Sequence, residues 1–160
     1  MIVGTSIVTR GAWQEAADTI TLDEQARHRR RMAMVSDGGI AFLLDLPEAR
    51  LLKSGDAIQL DDGRLIEVQA KPENLLEVRG RNARHLLALA WQIGNRHLAA
   101  EIHAERVLIR DDPVIATMLE GLGAELRRIE SGFDPEGGAY GNAHSVHHHH
   151  HADPVEAEAL

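Results

Sequence analysis

At 160 residues the chain has room for one ordinary domain or two very small ones. Apolar residues make up 44% of it but aromatics only 3%, so a core must be built from Leu, Ile, Val, Ala and Met. There are no cysteines, which excludes disulfides, thiolate metal sites and cysteine nucleophiles, and the formal net charge is -8.

The first 70 residues read as short strands with turn punctuation. "MIVGTSIV" is apolar and β-branched. Apolar runs flank Asp37-Gly38-Gly39 and again Asp61-Asp62-Gly63, two hairpin-type turns. Ile58 and Leu60, then Leu65, Ile66 and Val68, suit strands buried on one face. Between the first strand and the first hairpin, Arg27, Arg29, Arg30 and Arg31 read as the solvated face of a strand, or else as a patch for an acidic partner.

After "AKPEN" the period changes. Residues 75–80 read as a strand. Residues 82–95 carry Leu86, Leu87, Leu89, Ala90 and Ile93 at helical spacing, with Asn82 as N-cap and Gly94-Asn95 as the stop. "AAEIHAERVLIRD" supplies two short strands. Asp112 and Pro113 open a second helix that ends at Gly121 or Gly123, and "ELRRIES" is a last strand. The order strand–helix–strand–strand–helix–strand is the ferredoxin-like split pattern. The expected fold class is therefore α+β: a small all-β domain over residues 1–72, a ferredoxin-like βαββαβ domain over 73–132, and a disordered His-rich tail over 133–160. From Gly132 on, the chain is rich in Gly and His and has little means of burying a core.

The charge is uneven. Through Ser131, 17 Lys and Arg face 20 Asp and Glu; from Gly132 onward there are five acids and no Lys or Arg. An acidic, histidine-rich end argues against nucleic-acid or anionic-membrane binding and for attraction of cations. Residues 1–10 lack a charged segment leading into an apolar one, and no run approaches 18 apolar residues, so a cytoplasmic protein is expected.

No phosphate loop, nucleophile elbow or H-E-x-x-H motif is present, and nothing nominates an enzyme. The histidines carry what chemistry there is. Without thiols, a transition-metal site must use imidazole and carboxylate, a set that suits Ni, Zn, Cu or Co. His28 stands beside the arginines and reads as a surface residue, and His85 reads as an exposed position in a first helical turn. His97 follows the helix stop, in a loop not committed to core packing. His103 falls on a short strand, pointing outward. Six of the ten histidines lie within eight residues: His144, then His147, His148, His149, His150 and His151. Preceded by a separate histidine and followed by "ADPVEAEAL", this run is a poor match to a vector tag. It can chelate in many registers, binding ions readily and releasing them readily. Binding requires neutral imidazole and would fall away below a pH of about 6.5. One imidazole cannot hold a metal tightly, but two copies of residue 97 near a two-fold axis would supply a pair.

"WQIGNRHLAAEI" (91–102), "VLIRDDPVIATMLEGLGAEL" (107–126) and "FDPEGGAYG" (133–141), followed by the His-rich tail, strongly resemble the UreE family of urease accessory proteins. The resemblance covers the whole C-terminal half in order. It implies a homodimeric nickel metallochaperone that delivers Ni²⁺ for assembly of the urease active site, with Zn²⁺ or Cu²⁺ also able to bind in vitro. It implies a β-rich peptide-binding domain and a ferredoxin-like metal-binding domain. The implied partners are a second copy of the chain, the urease apoprotein and urease accessory proteins including a GTPase. By the same resemblance His97 binds metal at the dimer interface, one from each subunit, and His144 and His147–His151 add ligands. The family's further histidines before the second helix are missing, since the stretch here reads "IRDDPV". Asp111 could offer a carboxylate in their place, and His103 is an additional candidate that the resemblance does not mark. The rival readings are a metal-independent partner-binding module with a storage tail, and a general Zn²⁺ or Cu²⁺ buffer.

Overall fold

A computed structural model of the chain describes residues 1–137. His144 and His147–His151, and the expectation of disorder placed on them, lie outside the described residues.

The N-terminal half is a six-stranded curled sheet. Its strands are β1 (Val3–Val8), β2 (Asp18–Leu22), β3 (Arg31–Val35), β4 (Ala41–Asp45), β5 (Ala57–Leu60) and β6 (Leu65–Ala70), in the spatial order β2-β6-β5-β1-β4-β3. The two expected hairpins are present: β3 pairs antiparallel with β4, and β5 with β6. Gly39 and Gly63 supply the positive φ values (102° and 93°) that these tight turns need. Strand β2 was not foreseen, although Ile20 and Leu22 alternate with Thr19 and Thr21 as in a strand buried on one face. Nor were the parallel pairs β1–β4 and β2–β6, which no local pattern encodes. The β3–β4 turn reaches across to β2. Asp37 N–H donates to the Thr19 carbonyl at 2.8 Å, and the Thr19 hydroxyl donates to Asp37 Oδ2 at 2.7 Å. Inside the curl, Phe42, Leu44, Ile58, Leu60, Ile66 and Val68 form the core.

The C-terminal half is a four-stranded sheet with two helices on one face. Strands β7 (Glu73–Arg79), β8 (Glu101–Ile102), β9 (Val107–Arg110) and β10 (Glu125–Ser131) lie in the order β10-β7-β9-β8, all antiparallel. Helices α1 (Ala83–Asn95) and α2 (Pro113–Gly121) begin where the capping residues predicted. Asn82 Oδ1 accepts from His85 N–H, and Asp112 accepts from Val114 and Ile115 N–H. Leu86, Leu89 and Ile93 of α1 pack with Ile115 and Leu119 of α2 over Leu76 and Val78 of β7. Each such side chain contributes about 2 kcal/mol over leaving it in water. Leu87 differs from the sequence expectation: it is 71% exposed, because the buried face of α1 runs through 86, 89 and 93.

Two further expectations are corrected. The arginine cluster is not one strand face. Arg27 sits in a short 3-10 turn (Ala26–His28) with its side chain wholly buried, and only Arg31 lies on β3. The chain from Gly132 on does bury a core residue. Phe133 is fully buried against Leu75 and Leu108, on the sheet face opposite the helices, with the Arg110 guanidinium 4.8 Å over its ring. Among the described residues no helix is long and apolar enough to cross a membrane.

Candidate metal centre

Helix α1 ends in a backbone motif that usually requires glycine. Arg96 is its C-cap, and His97 follows at φ 60°, the one non-glycine residue with positive φ among those described. His97 N–H donates to the Gly94 carbonyl at 2.9 Å, and Leu98 N–H donates to the Ile93 carbonyl at 3.3 Å. This is the paired bonding of a Schellman motif, completed by Leu98 packing on the core near Ile93. A histidine in the left-handed region costs about 1 kcal/mol that glycine would not. The turn therefore trades stability for an imidazole, and it presents that imidazole exposed.

Helix α1 also leaves two large apolar side chains uncovered. Leu87 and Trp91, one turn apart on α1, are 71% and 65% exposed. Together they form a short apolar stripe on the helix that ends just before His97. The sequence listed Leu87 with Leu86, Leu89, Ala90 and Ile93 at helical spacing; only the orientation of the helix shows that it faces outward.

The chain returns to this region after β10. Glu136 N–H donates to the Ala100 carbonyl at 2.8 Å, and Ile102 N–H donates to Glu136 Oε2 at 3.1 Å. The last described residues therefore lie against β8, three residues past His97. Eight residues separate Glu136 from His144, a covalent reach of at most about 28 Å.

The other sequence candidates are already engaged. His103 Nε2 stands 2.6 Å from Glu101 Oε2, and Asp111 Oδ2 accepts from Arg128 Nε at 3.1 Å. His85 is not a free helix position: its Nδ1 accepts from Arg81 N–H at 2.9 Å, and its Nε2 meets the Leu122 carbonyl at 2.9 Å. It ties the start of α1 to the end of α2. Among the described residues no three His, Asp or Glu side chains come together as a metal site. His97 thus has one imidazole to offer and needs ligands from elsewhere. Sequence reasoning read Arg27 only as one of a solvated cluster and gave no role to Glu101, Asp134 or Glu136. Those three fell inside quoted motifs, but no spacing rule says what they bind.

The carboxylates with the strongest environments are structural. Hydrogen bonds from the Ser36 hydroxyl and from Thr19 and Gly38 N–H hold Asp18 below the usual carboxylate range. Asp37 is lowered chiefly by the Thr19 hydroxyl. Glu77, nearly buried on β7, is lowered by hydrogen bonding to Arg106 and Arg79.

Comparison with known proteins accords with these features. The family model described as "UreE urease accessory protein, C-terminal domain" matches residues 73–157, and the corresponding N-terminal-domain model matches residues 3–71. A urease accessory protein UreE of Chelativorans sp. (strain BNC1) is 64% identical over 151 residues, covering 94% of both chains. That of Rhodopseudomonas palustris (strain HaA2) is 56% identical, over 90% of this chain and 67% of its own. That of Rhodobacter capsulatus is 47% identical, over 90% of each. The chain belongs to the UreE family of urease accessory proteins, and it is an accessory chaperone rather than an enzyme.

Proposed function

We propose that this protein is a cytoplasmic nickel carrier that binds Ni²⁺ and delivers it for assembly of the urease active site. The observation that carries the reading is the convergence at β8. An exposed His97 is held in a strained turn, and Glu136, after which the sequence carries six further histidines, is bonded to Ala100 three residues beyond it. A lone imidazole binds a divalent ion weakly, so the tight site takes His97 from two copies of the chain. The exposed Leu87–Trp91 stripe on the helix preceding it supports a homodimer, since apolar surface of that kind is normally covered. His144 and His147–His151 then collect ions and pass them to the paired His97. His103 and Asp111 are at most auxiliary, because Glu101 and Arg128 already hold them.

The organisation proposed for this task is a partner-binding domain over residues 1–72, a metal-binding domain over 73–132 and the histidine arm over 133–160. The strand and helix order of the second, with its sheet order β10-β7-β9-β8, supports a ferredoxin-like fold. Delivery is to the urease apoprotein, together with accessory proteins including a GTPase. Zn²⁺ and Cu²⁺ would also bind in vitro, Cu²⁺ more tightly than Ni²⁺ by the usual affinity order. Calorimetric Ni²⁺ titration of the intact chain and of His97→Ala tests the reading. Loss of the tightest site per dimer supports it, and an unchanged isotherm overturns it.

A further inference from the structure

The six-stranded sheet ends at β3, and the phase of its ladder shows which residues face the open edge. Arg31 lies opposite Asp45, Ala33 opposite Leu43 and Val35 opposite Ala41. Just beyond the two ends of the strand, Leu46 N–H donates to the Arg30 carbonyl and Ser36 N–H to the Ile40 carbonyl, both at 2.9 Å. Hydrogen-bonded and non-bonded pairs alternate in an antiparallel ladder. The even-numbered residues therefore bond to β4, while Arg31, Ala33 and Val35 turn their N–H and C=O groups away from it. Strand β2, at the far end of the strand order, meets this edge only past its tip, where Asp37 N–H donates to the Thr19 carbonyl. Among the described residues no backbone bond reaches residues 31–35 from that side.

The same three residues carry their side chains on the outer face of the curl, since Met34 between them is in the core. Val35 is 62% exposed, and exposed Ala33 and Ala41 extend the apolar strip beside it. Beside this strip the charge is unbalanced. Asp45, across the ladder from Arg31, meets Arg30 instead, at 3.6 Å. Arg29 and Arg31 are exposed and have no acidic partner among the described residues. Three guanidiniums thus face one carboxylate, in a chain whose net charge is -8. Their base is fixed, because the Arg27 and Arg30 carbonyls accept from Leu52 and Leu46 N–H. The edges of the four-stranded sheet differ. Glu136 N–H already bonds the Ala100 carbonyl beside β8, and Arg127 and Arg128 of β10 are paired with Glu77 and Asp111.

We propose that the β3 edge is the docking site for an extended acidic segment of a partner protein. The segment adds a strand along Arg31, Ala33 and Val35 and sets its carboxylates against Arg29 and Arg31. Backbone bonds to the edge supply affinity, and the arginines and the apolar strip supply selectivity. Unpaired positive charge at the edge disfavours pairing with a second copy of the same strand, which leaves an acidic segment as the complementary occupant. The proposal deepens, and rests on, the partner-binding role proposed for residues 1–72.

The test uses the full chain, with chelator present, and short labelled peptides of alternating Glu and Val. Control peptides carry Lys in place of Glu, or Pro in place of the central Val residues. Binding is read by fluorescence anisotropy, and hydrogen exchange of single amides by NMR. The Glu–Val peptide should bind and both controls should fail. Arg29→Glu with Arg31→Glu should weaken binding roughly tenfold, the loss of two exposed ion pairs. Ala33→Pro removes an outward N–H while leaving the ladder to β4 whole, and should weaken binding to a similar degree. The peptide should slow exchange at Arg31, Ala33 and Val35 but not at Met32 and Met34, a pattern that only strand addition at this edge produces. If Ala33→Pro does not fold, the arginine variant and the exchange pattern carry the test. Equal binding of the Lys peptide would overturn the proposal, as would tighter binding of a single-stranded oligonucleotide at these arginines. Self-association abolished by Ala33→Pro would assign the edge to a second copy and also overturn it. Peptide binding elsewhere in residues 1–72, unaltered by these variants, leaves the partner-binding role and removes the β3 edge from it. If no peptide binds, both fall.

Discussion

The N–H of Glu136 donates to the carbonyl of Ala100 across 2.8 Å, and this bond joins the start of the histidine arm to the strand that follows His97. Glu136, 39 positions after His97 in sequence, is thereby fixed against Ala100, three residues beyond it, and His144 follows eight positions later in the sequence. The relationship leads to expectations about metal, assembly and stability that can be measured separately.

Residue 97 should show opposite effects on stability and on binding. His97→Gly relieves the left-handed backbone and should stabilise the fold by about 1 kcal/mol, read as a higher melting midpoint in apo protein. It should also lose the tightest Ni²⁺ site, as His97→Ala does. A His97→Gly variant no more stable than wild type would show that the turn stores no strain.

The arm should set capacity, not the tightest site. Replacing His144 and His147–His151 with asparagine should lower the number of Ni²⁺ ions bound per chain in equilibrium dialysis. One tight site per dimer, dependent on His97, should remain with reduced affinity. Complete loss of binding would place the principal site in the arm.

The Leu87–Trp91 stripe should govern self-association. Both side chains are mostly exposed within one chain, so Leu87→Asp or Trp91→Glu should leave the monomer folded. Sedimentation should then show a shift from dimer to monomer, with the tight Ni²⁺ site lost in parallel. A dimer undisturbed by both changes would mean that another face pairs.

Acid should loosen the closure of the N-terminal sheet and, through Glu77 on β7, the C-terminal one. The carboxyls of Asp18, Asp37 and Glu77 are all held below their ordinary values in the folded chain. A depressed folded value means stability that is fully present above the unfolded carboxylate range and is lost as pH falls through the folded value. Melting midpoints should therefore be flat near neutrality and drop below a pH of about 4. Asp18→Asn, which cannot accept from Ser36 and Gly38 in the same way, should flatten that drop while lowering the plateau. An acid limb unaltered in Asp18→Asn would remove Asp18 from this account.

Much of the architecture is local and therefore legible in the sequence. Asn82, Asp112 and Pro113 announce the two helices because capping is settled within three or four residues. The Asp-Gly turns announce two hairpins for the same reason. Strand β2 and the parallel pairs escape, because a parallel partner is chosen by the closing of the whole sheet and not by an adjacent turn.

The candidate site divides along the same line. That imidazole replaces thiolate, that six histidines crowd one segment, and that His97 follows a helix stop were all determined by the order of residues, since each is a matter of composition or short-range spacing. That His97 carries backbone strain, that Leu87 faces outward, that Arg27 is buried and grips Asp134, and that Glu136 ends beside Ala100 were decided only by the tertiary structure. The reason is physical: these properties depend on which surfaces pack together and on contacts between residues tens of positions apart. Such contacts form only when both sheets and both helices have closed on their cores.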